Sequence, residues 1–73
     1  MNKVILSDNR EIEVKPAKVG MVSKAQKMYK DEFEREIYIV SQCSSLGMDE
    51  VEELELSDYQ KLVAAAFKLG KSI

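Results

Sequence analysis

Residues 31–46 read DEFEREIYIVSQCSSL, and how this stretch folds decides the architecture of the chain. Asp31 followed three residues later by Glu34 is a capping-box pattern: the Asp side chain accepts from an unpaired amide of the first helical turn and the Glu reaches back to the cap. A helix is therefore expected to start here. Phe33, Ile37, Val40 and Ser44 recur at helical spacing, and Glu36, Ile39, Cys43 and Leu46 form a second row beside them. The run Ile37-Tyr38-Ile39-Val40 is too broad for one narrow stripe. The helix should be covered on more than one side and form the core, with Phe33, Ile37 and Val40 inside. A buried strand is the competing reading, because Ile, Tyr and Val favour pleated surfaces. The cap and the charged run over residues 31–36 favour the helix.

Toward the N-terminus, Lys3-Val4-Ile5-Leu6-Ser7 is largely apolar, Asp8-Asn9 supplies turn chemistry, and Arg10-Glu11-Ile12-Glu13-Val14 alternates with period two. This predicts a β-hairpin with Ile12 and Val14 on the core side and Glu11 and Glu13 outside, where charge discourages pairing at an open edge. Pro16 stops the second strand and holds Lys15 extended. Val19, Val22, Ala25, Gln26 and Tyr29 then follow helical spacing, so a first helix is expected over about 18–29. Its start should be short or frayed, because Gly20 lies in the first turn and no good N-cap residue precedes it.

Toward the C-terminus, Gly47 and Met48 are expected to break the central helix, and residues 49–54 to form only a turn or two with an acidic start that suits a helix N-terminus. Ser57 with Gln60 repeats the capping-box pattern, opening a last helix through Tyr59, Leu62, Val63, Ala66 and Phe67 to a stop at Gly70. Ala64, Ala65 and Ala66 allow close approach of another helix, from this chain or from a second subunit. The fold class expected is α+β, one small domain over residues 1–73: a β-hairpin in 1–15 packed on three to four α-helices in 18–70.

With 73 residues, 45% hydrophobic and 33% charged, the composition is that of a small globular domain. A chain this short buries only about 60% of the surface that it exposes unfolded, so a partner or a homo-oligomer is a natural remedy for a thin stability margin. No stretch approaches the ~20 apolar residues of a membrane span, and the N-terminus lacks an apolar signal region, which leads to the expectation of a soluble cytoplasmic protein without a membrane partner.

One cysteine excludes an internal disulfide, and the absence of histidine removes the common zinc patterns. Cys43 reads as a small buried hydrophobe. The six acids from Asp49 to Asp58 lack the alternating ligands and central glycine of a calcium loop and read as a solvated surface. No metal or cofactor is expected. The chain has no histidine base, no activated Ser or Cys and no glycine-rich phosphate loop, and its carboxylates all appear in charged runs expected to be exposed, so it does not read as an enzyme.

Net charge is −2, unevenly spread: residues 1–30 hold seven basic and three acidic side chains, and residues 31–73 hold four basic and ten acidic ones. This balance argues against nucleic acid as a partner, while Lys15, Lys18, Lys24, Lys27 and Lys30 form a basic face able to orient a partner.

The hairpin with Asp8-Asn9-Arg10-Glu11-Ile12, the helix start Asp31-Glu32-Phe33-Glu34-Arg35-Glu36-Ile37, and above all SSLGMDEVEELELSDY over residues 44–59 resemble the small tail assembly chaperones of Mu-like and P2-like contractile-tailed phages and prophages. The resemblance spans nearly the whole chain. Its most specific part is the pattern Leu46, Asp49-Glu50, Leu54, Leu56, Asp58-Tyr59. The chain departs from it in two loops, where Asn9 and Ser45 stand in place of a frequent glycine, and in the first helix, where Lys18 and Met21 replace a capping Thr and an acidic residue.

The function that the resemblance implies is to bind the long helical tape measure protein, in the host bacterial cytoplasm, before and during polymerisation of the tail tube protein. Such a client exposes apolar helical faces, and the mode expected is capture of a helix in an apolar groove. Met21, Met28, Tyr59, Val63 and Phe67 are the large apolar groups least needed by the central helix and form the expected client-facing set. Two other functions compete. A transcriptional regulator using the last two helices as a helix-turn-helix would present Tyr59, Lys61 and Lys68 with no Arg/Asn/Gln cluster to read bases, and a structural tail component would persist in mature particles.

Related chaperones are commonly made in two lengths by a ribosomal slip. A minus-one slip needs a heptamer of the form X XXY YYZ, and among the residue pairs of the last helix only Gly70-Lys71 can encode it, as GGA followed by AAA or AAG after a Leu69 codon ending in G. Gly70 is equally well placed as a helix C-cap, with Lys71 beside the terminal carbonyls. The expected outcome for a slip is that heptamer in the gene, an open minus-one frame beyond it, and a longer product by mass spectrometry. Any other Gly70 codon excludes it.

Overall fold

The computed structural model describes residues 2–67. Its elements are β1 (Asn2–Ile5), β2 (Glu11–Val14), α1 (Val19–Met28), α2 (Glu32–Ser44), α3 (Met48–Glu52) and α4 (Leu56–Phe67). The order, an antiparallel hairpin followed by four helices, is the α+β arrangement that the periodicities predict. The expected helix stop at Gly70, and Lys71, lie outside the described residues.

α2 begins where the sequence places it. Asp31, in extended conformation, accepts at Oδ2 from the Glu34 amide at 3.0 Å. Beside this cap the Arg35 Nε donates to the Tyr29 carbonyl at 2.7 Å and ties the α1–α2 link to the helix start. Ile37, Ile39, Val40 and Cys43 are buried, and so are Ser41 and Ser44. The two serines return their hydroxyls to the carbonyls of Tyr38 and Val40, which lets polar residues sit inside without unpaired donors. Burial therefore wraps most of the helix, and α1, α3, α4 and β2 all pack on it.

Phe33 is the exception. It shares the row of Ile37 and Val40 but is 56% exposed, because it lies in the first turn of α2, beyond the cover that the neighbouring elements give the rest of the row.

The hairpin pairs Val4 with Ile12 and Asn2 with Val14. Val14 is buried and Glu11 and Glu13 are exposed, as the alternation predicts. The first strand ends earlier than expected, at Ile5. Leu6 turns into the core, and the loop Ser7-Asp8-Asn9 is closed by Asn9 N–H to the Leu6 carbonyl and Leu6 N–H to the Arg10 carbonyl, both at 2.9 Å. Asp8 accepts from the Arg10 amide at 3.1 Å and its Nε at 2.8 Å. These contacts, the backbone bond first, lower the Asp8 pKa. Asn9 (φ 70°) and Ser45 (φ 62°) have left-handed backbones. A side chain there costs roughly 1–2 kcal/mol relative to the right-handed region, less for Asn, so these are positions where glycine is favoured.

The link between β2 and α1 is held extended by its own amides. Lys15 N–H donates to the Cys43 carbonyl and Ala17 N–H to the Ala66 carbonyl, each at 2.9 Å, which ties the segment to the last turn of α2 and to α4. The small residues near the end of α4 thus admit this extended segment as well as α2. α1 starts without a side-chain cap at Lys18.

Two helix starts differ from expectation. Met48 opens α3 instead of breaking α2, with the Gly47 amide donating to Glu50 Oε1 at 2.9 Å. α4 starts at Leu56, and the Tyr59 amide donates to the Glu55 carbonyl, so Ser57 lies inside the helix and caps nothing. Asp58, in the same turn, is buried and accepts from Ser7 N–H (3.0 Å) and Ser7 Oγ–H (2.8 Å). This also corrects the expectation that all carboxylates lie in exposed runs.

Ile37→Ala should cost about 2–5 kcal/mol, as for other fully buried aliphatic side chains, and Phe33→Ala about 1 kcal/mol or less. Urea denaturation of both variants checks this; equal losses would contradict the burial pattern.

Candidate functional site

α3 ends at Glu52 and α4 starts at Leu56, which places Leu54 within the tight link and Leu56 at the head of α4, near Phe33 in the first turn of α2. Together they enclose a groove of about 240 Å³ lined by Phe33, Val51, Glu52, Leu54, Leu56 and Tyr59. Val51 and Tyr59 are buried, whereas Phe33 is 56% and Leu56 68% exposed. The Phe33 ring meets Tyr59 edge-on, with centroids 5.8 Å apart and planes at 67°.

Tyr59 anchors the groove through its hydroxyl, which donates to Glu36 Oε1 at 2.6 Å. Burial first, then the hydrogen bond to Glu36 and its negative charge, push the phenol well above its ordinary value and keep it a neutral donor. Glu52 is the charged residue of the lining, and Glu32 and Glu55, next in sequence to Phe33 and Leu56, are exposed. What the arrangement offers is an apolar seat with a carboxylate in its wall.

A second groove, of about 290 Å³, lies between α1 and α2 and is lined by Lys18, Gly20, Met21, Lys24, Tyr38 and Gln42. Met21 Sδ there accepts from the Cys43 thiol at 3.8 Å, and burial raises the Cys43 pKa, so this cysteine is a poor nucleophile. A third depression, between Arg10 and Asp49, Glu50 and Glu53, has only charged walls. Among the described residues no group of three or more Cys, Asp or Glu side chains is placed to hold a metal ion, and no helix is long and apolar enough to cross a membrane.

The five expected client-facing residues do not share one surface. Met21 lines the second groove, and Met28 is 57% exposed at the end of α1. Tyr59 lines the first groove but is only 7% exposed, so it supports that surface and offers little of its own area. Val63 and Phe67 continue the row of Tyr59 along α4 at steps of four residues, half-buried against the core. The exposed members of the first groove, Phe33 and Leu56, are absent from that set. In the sequence both stand beside glutamates, Glu32-Phe33-Glu34 and Glu55-Leu56, a pattern that core-packed Ile12 shares in Glu11-Ile12-Glu13, so the sequence alone does not single them out.

The Tyr59 phenol carries a pH signature. Its folded pKa lies above the unfolded value of about 10, so its contribution is fully present below that pH, and above it the unfolded chain releases a proton that the folded chain keeps. The stability advantage of the native protein over Tyr59→Phe should be constant up to about pH 10 and shrink above it. Urea midpoints between neutral pH and about pH 11 measure this; an unchanged gap would contradict the assignment.

Compared with protein-family models, with curated proteins and with solved structures, the chain matches none of them.

Proposed function

We propose that this chain is a non-enzymatic phage tail assembly chaperone that binds an apolar face of the helical tape measure protein in the groove between α2, α3 and α4. The groove is the observation that carries the reading. Two large apolar side chains, Phe33 and Leu56, stand more than half exposed over a buried floor, a cost in water that a protein partner would remove. Its volume, about 240 Å³, falls below the roughly 300–1,000 Å³ of small-molecule sites and suits one or two anchoring side chains from a helix.

A second observation supports the family resemblance. The two loop positions where that family often has glycine, Asn9 and Ser45, are the two non-glycine residues with positive φ among those described. The backbone thus has, at both places, the conformation for which glycine is favoured. The host cytoplasm as site of action, and the tube protein as the partner whose arrival releases the client, belong to the same proposal.

The test is capture of tape measure fragments by purified protein. Leu56→Glu and Phe33→Glu should stay folded, since both side chains are exposed, and lose binding by about tenfold or more. Met28→Glu, outside the groove walls, should bind as the parent does. Normal capture by both groove variants would refute the groove as the client site.

A further inference from the structure

The groove between α1 and α2 is walled differently from the one between α2, α3 and α4. Its lining, Lys18, Gly20, Met21, Lys24, Tyr38 and Gln42, holds two cations and no acid, in a chain whose net charge is −2. The lining around Phe33 and Leu56 holds one acid and no cation. Among the described residues neither Lys18 nor Lys24 is in an ion pair, and the side-chain polar groups of Tyr38 and Gln42 make no hydrogen bond. Ammonium, phenol and carboxamide groups can all donate, so an acceptor suits every one of them, and the two ammonium groups favour an acceptor with negative charge.

The apolar part of this groove is held in place. Met21 Sδ accepts from the Cys43 thiol at 3.8 Å, and the Tyr38 ring packs on that of Tyr29 with centroids 5.7 Å apart. Gly20 leaves the lining open: its φ is not positive, and a Cβ there meets nothing within 4 Å. Neither a turn nor a close approach requires glycine at this place in α1, where it weakens the helix relative to alanine. The volume, about 290 Å³, lies just under the roughly 300–1,000 Å³ of small-molecule sites and takes one or two side chains of a protein. Tyr38 and Gln42 come roughly 140° and 180° around α2 from Phe33, so the two grooves open on different sides of that helix and can be filled together.

We infer that this groove docks an acidic segment of a second protein, an Asp or Glu carboxylate lying between Lys18 and Lys24 and a neighbouring apolar side chain resting on Met21 and Tyr38. Nucleic acid suits the site less: a phosphate backbone needs cations along its length, and the ten acids of residues 31–73 repel it. The inference does not rest on capture of a tape measure protein.

Titration of the isotope-labelled chain, followed through its amide resonances at ~0.01 M salt, tests this. The probes are a capped helical peptide with Glu and Leu side by side on one turn, the same peptide with Gln for Glu, and a short single-stranded DNA. The Glu peptide should shift Gly20, Met21, Lys24, Tyr38 and Gln42 in a saturable way, with a dissociation constant of ~1 mM or tighter. The Gln peptide should bind about fivefold more weakly or worse. Lys18→Glu and Lys24→Glu should each abolish binding and stay folded, since both side chains are exposed. Gly20→Phe, which crowds the groove without changing its charge, should weaken binding as well. Lys27→Glu makes the same charge change outside the lining and should bind as the parent does. Shifts that never saturate, equal binding of the Gln peptide, or equal losses in Lys27→Glu and Lys24→Glu would overturn the inference. So would saturation of these residues by the DNA and not by the peptide.

Discussion

Two hydrogen bonds from Ser7 to Asp58 join the beginning of the chain to its last helix, and the arrangement of the other elements depends on them. A two-stranded hairpin is marginal in water, so β1 and β2 persist only if something holds them against the helices. Burying a carboxylate costs several kcal/mol unless it is bonded. Here both oxygens accept from Ser7, and the first turn of α4 adds a dipole that favours negative charge. The clamp also seats Leu6, the residue before Ser7, in the core.

α2 is the wall that four other elements share. Its broad buried arc receives α1, α3, α4 and β2, while β1 packs on β2 and α4. The extended link between β2 and α1 is tied to α2 and α4 by donating to the carbonyls of Cys43 and Ala66. Among the described residues no buried side-chain nitrogen or oxygen lacks a partner. For a domain whose margin is thin by size alone, that completeness matters as much as the apolar area buried.

The groove follows from where the helices begin and end. α4 begins at Leu56, α3 ends after five residues, and the first turn of α2 runs past its cover. Leu54, Leu56 and Phe33 are then left around a floor of Val51 and Tyr59.

By itself the sequence determined what local patterns control. The Asp31 cap, the helical rows of α2, the alternation of β2 and the uncapped start of α1 depend on residues a few positions apart, and each is present in the structure. Tertiary structure decided the rest, because it turned on distant partners. Phe33 obeys the same period as Ile37, yet a period cannot say how far along a helix its neighbours reach. Ser57 and Gln60 carry a valid cap pattern, yet α4 opens at Leu56 with Ser57 inside it, and the next residue, Asp58, is buried by a bond to a residue 51 positions away. For the same reason Tyr59 became a support instead of a contact: its hydroxyl reaches Glu36 on α2, 23 positions earlier, and that bond holds the ring beneath Phe33 and Leu56 rather than in front of them.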